Sequence, residues 1–302
     1  MFRLLLALAL LAGLAAPAPA ETTITHPWPG ITLEQAVWTD PPMHFFIATV
    51  DLTNPRIKLK VSPGGTDPQM TPPWQTTLMP LSEIARRDGL YVAVNGNLFD
   101  AKDYQLLFGH NFYYFKGNWA KVNGWAMSDG VPFWTGPKMP GFPTMVVHTD
   151  GHITFGDFEH LPADSWQVVS GIWQILADGK ITFGQDSAFG GLGEPAPHSA
   201  VGLDRAGKTL FLFTVDGRRD DYSIGMGIHQ IGRELLARGA WNALILDGGG
   251  SATMVMRDPH GSVNVLNRPS DGHDLPMDLS VERCVANALG VIVTPATRPS
   301  AP

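Results

Sequence analysis

Glycine and proline punctuate this chain more densely than any other feature, and they limit what it can build. There are 33 Gly and 25 Pro in 302 residues, above the usual shares of roughly 7% and 5%. Such spacing suits short strands and many turns better than a bundle of helices. The apolar runs between them are correspondingly short. Ile57-Lys58-Leu59-Lys60-Val61 alternates apolar and polar, as a half-buried strand does. The length fits one large domain or two ordinary ones. No internal repeat and no shift in composition divides it. The sequence therefore reads as one α+β domain with a mixed β-sheet core, few helices and many loops.

The first twenty residues stand apart. Met1 to Ala20 has a basic Arg3, an apolar Leu4–Ala16 and a small-x-small Ala18-Pro19-Ala20. That is the pattern of a cleaved export signal, and it predicts a periplasmic or extracellular protein. No later run reaches the length needed to span a bilayer, so no integral membrane segment is expected after cleavage. Residues 21–84 read as an arm and N-terminal strands, and 295–302 as a flexible tail. The net charge is −7, which argues against a nucleic-acid partner, because polyphosphate binding needs a basic surface. Cys284 is the only cysteine, so an internal disulfide and a cysteine-based zinc cage are both excluded.

Two helices are legible. Ile228, Ile231, Leu235 and Leu236 fall on one face of a helix that Gly239 ends. Leu81 to Arg87 is a shorter one, ended by Gly89. Tyr91–Val94, Ser199–Leu203, Leu210–Val215, Ala243–Leu246, Thr253–Met256, Val263–Leu266 and Ala288–Val293 read as strands. Met145–His148 and His152–Phe155 flank Thr149-Asp150-Gly151 as a hairpin. Pro-rich Glu21–Gly30 reads as a surface arm, and Gly184–Pro197 as a long loop.

Three strand ends carry chemistry. Asn95-Gly96-Asn97, Asp216-Gly217-Arg218 and Asp247-Gly248-Gly249-Gly250-Ser251 each put polar groups and glycine just past an apolar run. Loops held by a rigid sheet are common places for catalytic groups. Glycine also lets backbone N–H groups approach an anion. The triple-glycine turn lacks G-x-G-x-x-G and a following helix, so it is not a dinucleotide fingerprint. It has no Gly-Lys-Ser/Thr, so it is not a P-loop. G-x-S-x-G is also absent.

The run from Gly225 to Ser251, GMGIHQIGRELLARGAWNALILDGGGS, resembles the signature of the phosphodiester glycosidase family. Ala93 to Asp100, Ser199 to Leu203, Val215-Asp216-Gly217-Arg218, Asn267-Arg268-Pro269-Ser270 and Glu282 to Leu289 resemble its other motifs in the right order. The resemblance implies a glycosidase domain over 85–294, continuous with 31–84. It departs from the family pattern at several positions. His198 stands where Arg is usual, Gly227 and Gln230 where Thr and Glu are, Ile245 where Asn is, Cys284 where Pro is, and Asn97 where Gly is.

The resemblance implies an exported hydrolase that cleaves the glycosidic C–O bond of a sugar-1-phosphodiester in an envelope or exported glycan. A phosphate leaving group is a weak base. It needs little general-acid help but does need a cation or N–H donors. One carboxylate, one arginine and a glycine nest therefore suffice. Asp247 is read as base or nucleophile, with Asp216 and Arg218 as further catalytic groups and Arg218 on the phosphate. Asn95, Gly96, His198, Gly248, Gly249, Gly250, Ser251, Asn267 and Arg283 form the substrate-binding set. Ordinary ion pairs remain open for Arg218 and Arg283, a turn-capping role for Asp216 and plain packing for His198. In the site, His198 would make phosphate binding change near neutral pH. Phe112, Tyr113, Tyr114, Phe115, Trp119 and Trp125 either wall a sugar subsite or cover the sheet.

No cofactor is certain. Asp216, Asp247 and Asn95 could cage Ca²⁺ or Mg²⁺, while His148 and His152 could meet across their hairpin. Two other functions stay open. One is a metal-dependent phosphodiesterase that cleaves P–O. The other is a non-catalytic glycan-binding module, suggested by the changes at His198, Gln230 and Ile245.

Overall fold

A computed structural model of the chain describes residues 21–65, 72–103, 113–133, 141–182, 193–271 and 280–294. The leader at 1–20, the tail at 295–302, Phe112 and most of the 184–197 loop lie outside these residues.

Strands dominate, and the α+β expectation is corrected: this is a β-rich fold. Among the described residues there are two α-helices, Leu81–Arg87 and Ile228–Ala237, and one 3₁₀ turn, Gly249–Ser251. The sheet core is not mixed either. Every strand pairing described within its three larger sheets is antiparallel. The physical reason lies in the connections. Short links such as Asp204–Lys208 make antiparallel hairpins, whereas parallel neighbours need crossovers of a dozen or more residues. The Pro-rich arm also turns out to be a strand, Glu21–Trp28. It pairs with Ile31–Thr39 and bulges between Thr25 and Trp28, next to Pro27. Proline is tolerated there because an edge strand need not donate every N–H.

The eight-stranded sheet runs Glu21–Trp28, Ile31–Thr39, Pro42–Asp51, Thr209–Val215, His198–Asp204, Ala240–Gly248, Trp173–Ala177 and Lys180–Ile181. A five-stranded sheet runs Val263–Val265, Met254–Arg257, Val92–Asn95, Asn287–Val293 and Ile57–Pro63. A second five-stranded sheet spans residues 126–170. The strands before residue 85 are thus built into the same sheets as those after it. Pro42–Asp51 pairs with Thr209–Val215, and Ile57–Pro63 with Asn287–Val293.

Period-two alternation explains how the layers stack. Phe46, Ala48, Leu212, Leu244 and Leu246 face Val92, Val94, Met254, Leu289 and Val291 in one core between the first two sheets. Phe45, Ile47, Phe213 and Ile245 point the other way, onto Ile228, Ile231 and Leu235 of the longer helix. Ala93, Val255 and Ala288 point away from the central core onto Leu81, Ile84 and Ala85 of the shorter helix. The order is therefore helix, sheet, sheet, helix. Strands buried on both faces read as continuous apolar runs, which is how Ala243–Leu246 looks in the sequence. The helix ends also follow the sequence, with Gly89 at φ +68° and Gly239 at φ +97°.

Candidate active site

Both stacked sheets deliver polar strand ends to one edge of the molecule. Val215 and Gly248 lie opposite His198 on its two sides in the eight-stranded sheet. Asn95 lies opposite Ala288 in the other sheet. Asp216 and Asp247 therefore flank the start of the His198 strand.

Asn95 ties the two sheets together. Its Nδ2 donates to the Asp247 carbonyl at 2.7 Å, and its Oδ1 accepts from Ser199 Oγ at 2.6 Å and the Thr253 N–H at 3.2 Å. The Asp247 N–H donates to the Gly96 carbonyl at 3.0 Å. Asn95 is wholly buried, and its side chain is spent on these bonds. Gly96 presses on Asn287, where an added Cβ would lie 2.4 Å from Oδ1. Asn287 in turn bonds Asn97 both ways.

The two aspartates differ sharply. Asp216 Oδ1 accepts from Asn267 Nδ2 and the Arg268 N–H, both at 2.9 Å, and Oδ2 accepts from Tyr222 at 3.1 Å. Burial pushes its pKa up against those donors. Tyr222 stacks on His44 at 4.0 Å, and burial beside Asp216 raises its pKa. Asn267 also binds the Ala252 carbonyl and the Met254 N–H. Asp216 and Asn267 thus form a closed polar cluster that holds the far end of the glycine turn.

Asp247 has far fewer partners. Its Oδ1 accepts from its own neighbour, the Gly248 N–H, at 3.0 Å. Burial raises its pKa to about 6, opposed by the nearby Ser251 hydroxyl and the Arg283 charge. Ser251 Oγ itself is buried without a hydrogen bond of ordinary geometry. The same holds for Thr253 Oγ1, Ser270 Oγ and His198 Nδ1. Buried polar atoms are nearly always paired in folded proteins. Four such atoms among the residues around one turn mark a place made for a polar ligand or water.

The arginines also divide. Arg218 has φ +63°, an uncommon conformation for a non-glycine residue. It is exposed, and its guanidinium makes no ion pair or hydrogen bond among the described residues. It lies over Gly249, where an added Cβ would come within 3.0 Å of Nη2. Gly249 itself has φ +60°. Arg219 turns inward instead. It is 1% exposed and donates to the Arg268 and Pro269 carbonyls and to Ser280. Arg283 forms a two-pronged pair with Asp271 at 2.7 and 2.8 Å and stacks on Tyr114 at 4.0 Å. Gly250 fits against this pair, because a Cβ there would meet Asp271 Oδ1 at 1.9 Å.

His198 is half-buried. Burial and the Arg218 charge lower its pKa to about 4, so it is neutral through the physiological range and does not titrate near pH 7. Gln230 sits on the longer helix, its Nε2 3.8 Å from Met43 Sδ. Ile245 is a core residue facing that helix. Of these three departures from the family motif, only His198 reaches the site. Of the aromatic stretch, Tyr114 reaches it through Arg283, while Trp125 is anchored on Ser170 and Phe158.

The oxygen cage expected of Asp216, Asp247 and Asn95 is not what the fold assembles, since Asp216 and Asn95 oxygens already hold protein donors. Among the described residues no group of three or more His, Cys, Asp and Glu converges on a point. His148 and His152 do meet, as rings stacked at 3.8 Å. They bond Asp164 and Asp150 respectively, not a common centre.

The model of the phosphodiester glycosidase family matches residues 88–292, more than half of the chain. The chain belongs to the phosphodiester glycosidase family. The three strand-end motifs that begin at Asn95, Asp216 and Asp247 all fall inside the matched region. The fold is shared with the catalytic domain of zebrafish N-acetylglucosamine-1-phosphodiester alpha-N-acetylglucosaminidase, auto-inhibited by its pro-peptide. That likeness has a TM-score of 0.65 at 22% identity over 92% of this chain and 89% of that one. A hypothetical protein from Synechocystis has a TM-score of 0.55 at 16% identity, covering 91% and 64%. A putative exported protein from Burkholderia pseudomallei gives 0.53 at 14%, covering 84% and 74%. Among curated proteins, the SPbeta prophage-derived uncharacterized protein YomE of Bacillus subtilis is 31% identical over 121 residues. That segment is 40% of this chain and 16% of YomE. Likeness at these identities gives fold, so the family's chemistry has to be argued from the site.

Sequence reasoning missed Arg219, Tyr222, Asp271 and Asn287 as site-building residues. Asn287 lay inside a quoted motif, and Arg219 directly after one. Asp271 likewise directly follows the quoted Asn267–Ser270 motif, and Tyr222 carries no sequence signal that would have found it.

Proposed function

We propose that this protein is an exported hydrolase that cleaves the glycosidic C–O bond of a sugar-1-phosphodiester in an envelope or exported glycan. The observation that carries this reading is Asp247: a buried carboxyl with a pKa raised to about 6, at the head of a glycine turn over which the unengaged Arg218 guanidinium lies. A carboxylate so tuned is ionised at neutral pH and basic enough to take a proton from water. Water then attacks the anomeric carbon and gives its proton to Asp247. The C–O bond electrons leave with the phosphate oxygen, whose charge Arg218 holds. The Gly248 and Gly249 N–H groups are given to Asp247 Oδ1 and the Pro197 carbonyl, so the expected glycine nest is not part of that cradle. The products are the free sugar and a phosphomonoester. Asp216, with every oxygen satisfied, braces the turn. The Met1–Ala20 pattern supports export.

Turnover of an α-N-acetylglucosamine-1-phosphodiester in ¹⁸O water tests the reaction, with Asp247→Asn as the control. Label in the sugar is the expected outcome. Label in the phosphate would mean P–O cleavage and would overturn the proposal, as would full activity in the Asn variant.

A further inference from the structure

We infer that His198 and Arg218 form an anion receptor of single positive charge, which holds a phosphate monoanion and disfavours a dianion. This rests on the proposed reaction and adds to it a basis for discriminating substrate from product.

Few cations near the glycine turn are free to meet an anion. Arg283 is consumed by Asp271. Arg219 is consumed by two carbonyls and Ser280. Arg268 bonds Ser280 and lies over the Tyr222 ring. Of the four arginines beside the glycine turn, that leaves Arg218, over Gly249, as the one whose guanidinium is open to a ligand among the described residues. Outside the described residues, 66–71, 104–112, 183–192 and 272–279 contain no Lys or Arg, and 134–140 contains Lys138, so the count is one of the described residues.

His198 is the second member of the receptor. Its Nδ1 is buried beside Gly248, where an added Cβ would lie 3.0 Å away, and has no hydrogen-bond partner. Orphaned buried donors are rarer than orphaned acceptors, so the proton is assigned to Nε2. Nε2 is not among the occluded unpaired atoms. The ring therefore presents a neutral N–H donor beside Arg218. It adds a hydrogen bond without adding charge.

The chemical consequence follows from the reaction. A phosphodiester carries one negative charge, whereas the phosphomonoester product carries −1.5 to −2 near pH 7. Once Asp247 has passed its proton to solvent, the product's second charge faces that carboxylate, and the other cation near it among the described residues, Arg283, is already paired with Asp271. The receptor thus favours substrate over product, and release of the monoester follows from its charge.

The test uses small ions and needs no turnover. Dimethyl phosphate (monoanion) and methyl phosphate (dianion) are titrated into the protein at pH 8 and followed by NMR of the arginine and histidine side chains. Wild type and His198→Gln should bind dimethyl phosphate at least as tightly as methyl phosphate. His198→Arg should bind methyl phosphate about tenfold more tightly, the weight of one charged hydrogen bond, with less than about a threefold change for dimethyl phosphate. His198→Gln keeps a neutral donor and shows that the preference survives substitution when charge is unchanged. Tighter binding of methyl phosphate by wild type, or an equal gain for both ions in His198→Arg, overturns the inference and leaves the proposed reaction standing. If neither ion perturbs Arg218 in any form of the protein, the phosphate site itself falls, and the inference falls with it.

Discussion

Asp247→Asn should make the protein more stable at neutral pH while abolishing turnover, and the gain should vanish in acid. The size follows from burial. A carboxyl moved from its ordinary 3.8 to about 6 carries about 3 kcal/mol of unfavourable charge burial, at about 1.36 kcal/mol per tenfold of proton affinity. The sign is set by proton uptake. Below about pH 4 the group is protonated folded and unfolded, and contributes nothing. Between about pH 4 and 6 the folded state holds the proton more tightly, so stability falls as pH rises. Above about pH 6 the full penalty persists. The amide of Asn keeps an acceptor for the Gly248 N–H without the charge. For a domain of this size, about 3 kcal/mol corresponds to roughly 5 °C in Tm. Thermal unfolding of both proteins from pH 4 to 7.5 reads this directly. A constant Tm difference across that range would refute the burial argument, as would an Asn variant that loses stability relative to wild type as pH rises.

Other outcomes follow from the same geometry. The kcat/KM of wild type should rise through an apparent pKa of about 6, and a pH–rate profile should show no second step near neutrality from His198. Asn95→Ala removes three bonds between buried groups and should cost about 3–5 kcal/mol, measured by denaturant unfolding. Arg218→Gly relieves a left-handed backbone worth about 1 kcal/mol or more, so it should unfold no more easily than wild type yet raise KM at least about tenfold. Gly250→Ala must displace Asp271 or Arg283, and should lower both Tm and activity.

The site was more legible than the fold. Asp247, Arg218 and the glycine turn stand out because an apolar strand ending in Asp-Gly leaves few structural uses for three successive glycines. Period two also located the individual strands. What it could not supply was their partners: Phe45 and Phe46 look alike in sequence, yet one faces a helix and the other the second sheet. That is why a mixed sheet was expected where an antiparallel pair is found. The distinction between Arg218 and Arg219 was equally hidden. They are adjacent and chemically identical, and only the positive φ at Arg218 sends one outward and the other into the core. The ion pair that consumes Arg283 needs Asp271, twelve residues away and one position past the Asn267–Ser270 motif.

The Asn95 bracket bears on how this active site comes into being. Asp247 ends a strand of one sheet, Asn95 ends a strand of the other, and 152 residues of chain separate them. Neither sheet alone carries a site. A folding intermediate with all its strands formed but its layers not yet docked would show native secondary structure and no activity. Recovery of turnover after unfolding therefore clocks the docking of the two sheets rather than the formation of their strands.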